Sequence, residues 1–569
     1  MPISPRRSIA ALVLGLATAL PASFVAAEGL SGAYLAARHA SFTNDYKAGA
    51  EYYTKALIRD SSNVTLLENA LASFVGLGDL SRAVPVARKM AADGVVSQIS
   101  RIVLLVDLAK KQDYDGLIAM IEKGDTVGPL VDGLALAWAE IGRGNRDAAL
   151  AHFDEVAKGT GTRGFGLYHK ALALASVGDY AAAEAIFAGD ENGPLRVTLG
   201  GVLAHAEVLS QLDRNADALE LMAAVFGNEV DPRIAQLRST LTAGGKLPFT
   251  AAANPSDGLA EVFYSVANAL QGETDDGYTL VYTRMAEDLN PGHIDALLMS
   301  AGLLEKMEQY ELATEAYNRV GRDDPSFHAA ELGRAAALRD SGKQEAAIEV
   351  LEQLAKSHGD LPQVHSSLGN ALRRMERYGE AADAYSRALD ITGEPIADDW
   401  FVFYARGICY ERTDRWEQAD ADFRMALKLN PNQPQVLNYL GYSLLEKNIK
   451  LDEALGMIER AVSAVPNDGY ITDSLGWALY RLRRFEEAVK YMERAAELTP
   501  VDPIVSDHLG DTLWAVGRKL EAKFQWRRAM SFEPEDVDAK RIRRKLEIGL
   551  DAVLKEEGAE PLPVLANDG

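Results

Sequence analysis

Apolar side chains along this chain recur at helical spacing and in blocks of nearly constant length. Counting from Gly407, Ala419, Phe423, Ala426 and Pro431 lie 12, 16, 19 and 24 residues on. The same steps lead from Gly476 to Ala488, Met492, Ala495 and Pro500, and from Gly510 to Ala522, Trp526, Ala529 and Pro534. From Gly369 they reach Ala381, Tyr385 and Ala388, with the proline displaced to Pro395. From Gly441 the register is one residue longer and reaches Ala454, Ala461 and Pro466. These five glycines are 38, 34, 35 and 34 residues apart.

Residues three and four apart share one face of a helix, so each run of alanine, large residue and alanine is an apolar stripe. Leu368, Leu440, Leu475 and Leu509 each precede a repeat glycine on a preceding helix. A residue without a side chain there lets the striped helix approach closely. The proline then ends that second helix, because its ring cannot continue the hydrogen-bond ladder. Polar pairs such as Asp414-Arg415 and Arg483-Arg484 form the turn between the two helices. Abundant Leu, Ala, Glu and Arg favour helix, and regular hairpin signals are missing. The expected fold class is all-α.

This spacing resembles the tetratricopeptide repeat (TPR) family, whose unit is a helix–turn–helix of about 34 residues. The resemblance is strongest from Gly369 to Pro534. It is readable upstream in Met299–Gly302 with Tyr310, Ala313 and Tyr317, and in Ala37, Gly49, Tyr53 and Ala56. The twelve-residue step also separates Ala171 from Ala183 and Ala206 from Ala218. The resemblance implies a right-handed α-solenoid of about 13–15 repeats. The expected organisation is a signal peptide over 1–27, a degenerate array over 28–241 and a second array over 259–534. A capping helix comes next over 535–556, then a disordered tail over 557–569. Gly244, Gly245, Pro248, Pro255 and Gly258 interrupt the period at 242–258, as a surface loop in one solenoid or a hinge between two halves.

The chain has 569 residues, beyond the ~250–300 that a single core supports, which an array accommodates. One cysteine, Cys409, excludes an intrachain disulfide and a cysteine metal cluster. Arg6 and Arg7, the apolar run Ile9–Leu20, Pro21 and Val25-Ala26-Ala27 read as a cleavable export signal, with cleavage after Ala27. The run is shorter than the ~20 residues a membrane span needs, and no later run is long enough. The expected location is the periplasm or cell envelope. The formal charge of −24 argues against nucleic-acid binding and against docking on anionic lipid, both of which call for a basic surface.

Candidate chemistry is sparse. Gly159-Thr-Gly161-Thr-Arg-Gly164 has the spacing of a dinucleotide turn, but it follows a helical run at 147–158 instead of a strand and reads as an inter-helix loop. The nine histidines show no metal-ligand spacing, and no zincin motif, nucleophile elbow or P-loop is present. Cys409 occupies the slot held elsewhere by Ala371, Ser443, Ala478 and Thr512, which is a packing slot. No catalytic residue, metal or cofactor is expected.

In the TPR family the first helix of each pair lines the concave surface. The resemblance places there the residues three before, one after and four after each glycine: Tyr404, Ile408 and Glu411; Asn438, Tyr442 and Leu445; Asp473, Trp477 and Tyr480; Asp507, Asp511 and Trp514. The candidate partner-binding set is Tyr404, Asn438, Tyr442, Asp473, Trp477, Tyr480, Asp507, Asp511 and Trp514. Each ring either anchors a partner or packs between repeats, as tyrosine at the Tyr480 position often does in this family. Asn370 and Arg373 occupy places that some relatives use to clamp a terminal carboxylate, but Glu411, Leu445 and Asp473 break that pattern. The expected partner is a protein or peptide with a basic or apolar segment. The expected role is a non-catalytic scaffold; the alternative is an adaptor presenting substrates to a separate envelope enzyme or assembly complex. Intact mass or amino-terminal sequencing of the exported protein should place its first residue at Glu28 or within a few residues of it. Recovery of the uncut chain in the inner membrane would identify an anchor instead.

Overall fold

The computed structural model describes residues 30–189, 195, 197–227 and 231–563. The expected export signal over 1–27 and residues 564–569 lie outside the described residues. Among the described residues there are 31 α-helices, one short 3-10 turn and no strand. Consecutive helices pack in pairs, giving a TPR-like solenoid arrangement. The chain divides into two compact units, one ending at Ala316 and one beginning at Tyr317.

Local chemistry sets the helix ends. Asp45, Asn63, Asp79, Asp113 and Asp179 each cap a helix by accepting a backbone N–H from its first turn. Such a cap contributes about 0.5–2 kcal/mol. In the second unit, Glu376, Asp414, Asn448 and Arg483 sit at positive φ in the turns inside the pairs. A left-handed conformation costs a non-glycine residue roughly 1–2 kcal/mol, so helix packing must hold these turns.

The repeat glycines are closely approached. A Cβ added to Gly407 would lie 2.7 Å from the Phe423 ring, one on Gly476 2.8 Å from Met492, and one on Gly510 2.4 Å from Trp526. Gly369 meets Tyr385 and Gly441 meets Ile458 in the same way, each at 2.7 Å. Ala419, Ala426, Ala488, Ala495, Ala522 and Ala529 are fully buried. The core of the second unit is a series of clusters, each spanning neighbouring pairs.

The first unit departs from a simple stack. Its pairs begin with the helices Val64–Gly76, Gln98–Lys110, Pro129–Gly142 and Arg163–Ser176. The helices Pro255–Leu270 and Asp276–Leu289 lie across these same first helices. Gly258 lets the 255–270 helix close on Trp138, where an added Cβ would lie 2.4 Å from the indole. Tyr168 donates to Glu261 (3.0 Å), Tyr278 to Gln98 (2.9 Å) and Arg284 to the Gly76 carbonyl (3.2 Å), while Lys110 pairs with Asp288 at 2.7 Å. Leu259, Val262 and Phe263 are fully buried, and such side chains contribute roughly 1.5–3 kcal/mol each. The face that a plain array leaves open is therefore filled by the chain itself.

The stretch 242–258 lies inside the first unit, and the division between units falls at Ala316/Tyr317. Leu247 N–H donates to Ser210, and Thr250 donates to Glu207 through both its backbone N–H and its hydroxyl, so this connection is tied down before the 255–270 helix begins. The expected capping helix is two helices, Asp536–Ile548 and Leu550–Glu556, separated by Gly549 at φ 84°. The described part of the tail is held in place: Arg483 donates to the Pro561 carbonyl at 2.7 Å and pairs with Glu560 at 3.2 Å.

Ala488→Glu should place an unpaired charge in a fully closed slot and cost about 3–5 kcal/mol. Because repeats couple mainly to their neighbours, calorimetry should resolve a carboxy-terminal transition moved below the amino-terminal one. An unchanged melting profile would show a different helix register.

Candidate partner-binding groove

The second unit presents the first helices Pro362–Arg374, Trp400–Arg412, Pro434–Glu446, Gly469–Arg481 and Pro503–Ala515 in succession. Tyr404 is half-buried, with its ring edge-on to Tyr439 at 5.9 Å and tilted on Phe423 at 6.1 Å. Burial raises its hydroxyl pKa, and Arg373 acts in the opposite direction. Tyr442 is also half-buried, its pKa raised first by burial and then by Glu446 and Asp473. Asn438 Oδ1 is shielded from solvent and meets no donor among the described residues. Asp473 Oδ2 faces His508 Nδ1 at 2.9 Å, while its Oδ1 is likewise shielded and without a donor. A shielded acceptor left unpaired costs about 1–3 kcal/mol.

Other candidates are engaged by the protein itself. The Trp477 indole is stacked on Tyr480 at 4.8 Å and on His508 at 4.0 Å, and its N–H donates to Glu446 at 3.1 Å. Glu446 also receives Arg481. Tyr480 is buried and meets Phe485 edge-on at 5.3 Å. Trp477 and Tyr480 thus pack between repeats.

Asp507, Asp511 and Trp514 are placed differently from the expectation that they face a partner. The fully buried Lys545, on the 536–548 helix, donates to Asp507 Oδ1 and Asp511 Oδ1, both at 2.6 Å. Asp511 also takes the Trp526 indole N–H at 2.9 Å and Arg541 at 3.2 Å. Trp514 donates to Asp551 at 2.9 Å, tilts on Trp526 at 5.3 Å and touches Gly549. The two closing helices cover this end. Repeat spacing gives the phase of these three residues but carries no sign of the helices beyond the last repeat that cover them.

His508, Lys545 and Arg541 complete the site and were not among the sequence candidates. Lys545 lies among Arg543, Arg544 and Glu547, so locally it reads as part of a solvated face. Among the described residues no group of three or more His, Cys, Asp or Glu side chains could hold a metal ion. Burial pushes the Cys409 thiol up to about 11, well above the range of a reactive cysteine.

The acids at this end titrate unusually. Burial and then Asp511 push the Asp507 carboxyl up to about 6 despite Lys545. Burial opposes protonation of His508, but Asp473, Asp507 and Asp511 outweigh it and raise its pKa. Both groups bind their proton more tightly folded than unfolded. Their contribution is therefore full at low pH and is lost as pH rises through their folded values. Lys545→Met should leave buried carboxylates without their cation and cost about 3–5 kcal/mol at neutral pH. Urea titrations should show that loss shrinking at pH 5, where the carboxyl, raised further in the variant, takes up a proton. An equal loss at pH 5 and pH 8 would mean that these acids carry no uncompensated charge.

Residues 298–533 match the tetratricopeptide repeat family model. A TPR repeat-containing protein of Pseudomonas aeruginosa is 27% identical over 190 residues, 33% of this chain and 31% of that protein. Human protein O-mannosyl-transferase TMTC1 is 27% identical over 190 residues, 33% of this chain and 20% of that protein. The chain thus spans about a third or less of the length of these relatives. Among solved structures, the APC/C hetero-tetramer Cut9-Hcn1 aligns with a TM-score of 0.38 at 14% identity, covering 92% of this chain and 97% of that one. YrrB, a TPR protein with an unusual peptide-binding site, aligns with a TM-score of 0.28 at 20% identity over 33% of this chain and 94% of its own. No helix among the described residues is long and apolar enough to cross a membrane. The family match over 298–533 falls where the helix pairs close on their repeat glycines, and that part of the chain is similar to tetratricopeptide repeats.

Proposed function

We propose that this protein is a non-catalytic scaffold of the cell envelope that holds a partner segment along the first helices of its second unit, from Pro362–Arg374 to Gly469–Arg481. The observation that carries the reading is the row Tyr404, Asn438, Tyr442 and Asp473. Two half-buried rings alternate there with two acceptor oxygens that the chain leaves without donors. The corresponding face of the first unit is filled by its own helices, and Asp507, Asp511 and Trp514 are covered. Rings beside polar groups that need partners are what a peptide-binding surface requires. The export signal over 1–27 supports the envelope location.

The adaptor reading keeps this groove and adds a second contact. The exposed Leu520 (87%) and Phe524 (64%), one turn apart on the helix Lys519–Ser531, favour it. Large apolar side chains open to solvent at that spacing form a face that a second protein can cover.

Tyr404→Ala and Tyr442→Ala should each weaken binding of the partner captured from envelope extract by about 1–3 kcal/mol. Trp477→Ala and Trp514→Ala should instead lower the unfolding temperature. The measurement is a binding titration of the four variants beside their thermal unfolding. The groove assignment is lost if the tyrosine variants bind as wild type.

A further inference from the structure

We infer that the helix Lys519–Ser531 docks on an anionic lipid surface, with Leu520 and Phe524 entering the headgroup region and Lys523 and Arg527 beside its phosphates. This face lies on the second helix of the last repeat, apart from the groove. The lipid stands where the adaptor reading places a second protein.

Leu520, Phe524 and Arg527 follow one another at helical spacing and form one exposed stripe. The other repeats carry different chemistry there. Counted from each repeat glycine, with the Gly441 register one residue longer, the Leu520 place holds Gly379, Glu417, Asp452 and Glu486. The Phe524 place holds Asp383, Ala421, Gly456 and Lys490, and the Arg527 place holds Ser386, Arg424, Glu459 and Glu493. Among these five repeats, large apolar side chains stand at the first two places in the last repeat alone. Apolar surface left in water is unfavourable, and that cost is recovered when an apolar phase takes it up.

The charge around the stripe selects that phase. The whole chain carries 83 acidic against 59 basic residues, but 519–545 carries five acidic and nine basic. Salt screens charges beyond about 8–10 Å at physiological ionic strength, so a docked surface meets this local set and not the net charge. Lys523 lies over the Trp514 ring at 6.0 Å. No carboxylate pairs with Lys523 or with the exposed Arg527 among the described residues. The adjoining acids Glu493 and Glu521 are both held by Arg518. On the helix packed alongside, Asp536–Ile548, the exposed Lys540 and Arg543 are likewise without a carboxylate among the described residues. Cations beside protruding apolar side chains on one helix face are what an interfacial helix presents to anionic headgroups. A folded protein would need a pocket shaped to Leu520 and Phe524, whereas a bilayer interface yields around any side chain.

The test is flotation of the full chain with vesicles of phosphatidylcholine, alone or mixed with phosphatidylglycerol, at low and high salt. Every variant keeps the same amino terminus, so the apolar run Ile9–Leu20 contributes equally. Phosphatidylglycerol should raise binding, and salt should lower it. Leu520→Ser combined with Phe524→Ser should weaken binding to the mixed vesicles about tenfold. Lys523→Gln and Arg527→Gln should each weaken it about fivefold. Arg527→Lys should keep the binding, and circular dichroism should stay that of wild type throughout. Phe524→Trp should gain quenching by lipids brominated on their acyl chains, which reports entry of this side chain. No gain from phosphatidylglycerol, or variants that bind as wild type, would overturn the inference. So would capture of polyglutamate without capture of vesicles, which would give the face to an acidic protein segment. Tyr404→Ala and Tyr442→Ala should leave vesicle binding unchanged, so this result and the groove titration stand or fall separately.

Discussion

The structure depends on how closely two helices approach at the repeat glycine. At Gly369, Gly407, Gly441, Gly476 and Gly510 a large side chain from the second helix occupies the space a Cβ would take. That contact sets the angle within each pair and lets the flanking alanines close with no exposed surface. The cost appears in the turns, where Glu376, Asp414, Asn448 and Arg483 are held at positive φ. Packing must outweigh that strain in each of these repeats, so the array is stable only as neighbours support one another.

Stacking pairs this way leaves the first helices with one face uncovered, and the two units treat it differently. In the first unit the 255–270 and 276–289 helices fill it and merge most of the unit into one core. Among the polar contacts there, Glu261 takes Tyr168 and His293, and Arg284 pairs with Glu287 while donating to the Gly76 carbonyl, whereas Glu140 Oε2, His169 Nε2 and Asn215 Oδ1 are shielded without a partner among the described residues. In the second unit, among the described residues, the closing helices cover the final repeat and bring their own cations, and the tail packs against the repeat before it. The repeats before it keep half-buried rings and unmatched polar groups. A face already filled with apolar side chains offers no place for another segment.

The same contrast separates two kinds of aromatic residue that look alike in the repeat. Trp477 and Trp514 have their faces and indole N–H groups engaged by Tyr480, His508, Glu446, Trp526 and Asp551. Their burial area therefore supports folding. Tyr404 and Tyr442, half-buried as Trp477 is, sit on the same register, and Tyr404 meets Tyr439 of the next repeat edge-on. What distinguishes Trp477 is its stacking on Tyr480 and His508, and no spacing rule reports those neighbours.

Much of the architecture was legible in the sequence because it is local. Helix periodicity, repeat length, the glycine–large-residue pairs and the buried alanines arise from residues within one 34-residue unit, where side-chain volume and backbone reach determine the outcome. The phase of Tyr404, Asn438, Tyr442 and Asp473 on their helices was legible for the same reason. Three features were decided only by the tertiary structure: the folding back of Pro255–Leu270 onto Trp138, the closure of Asp507 and Asp511 by Lys545, and the stacking of His508 on Trp477. Each joins residues from different repeats or from beyond the last one. The local pattern around Gly258, Lys545 or His508 is that of a loop, a charged helix face or a scattered histidine. Their roles arise when distant segments exclude water together, because only then does an unpaired charge or an open face become costly enough to need a partner.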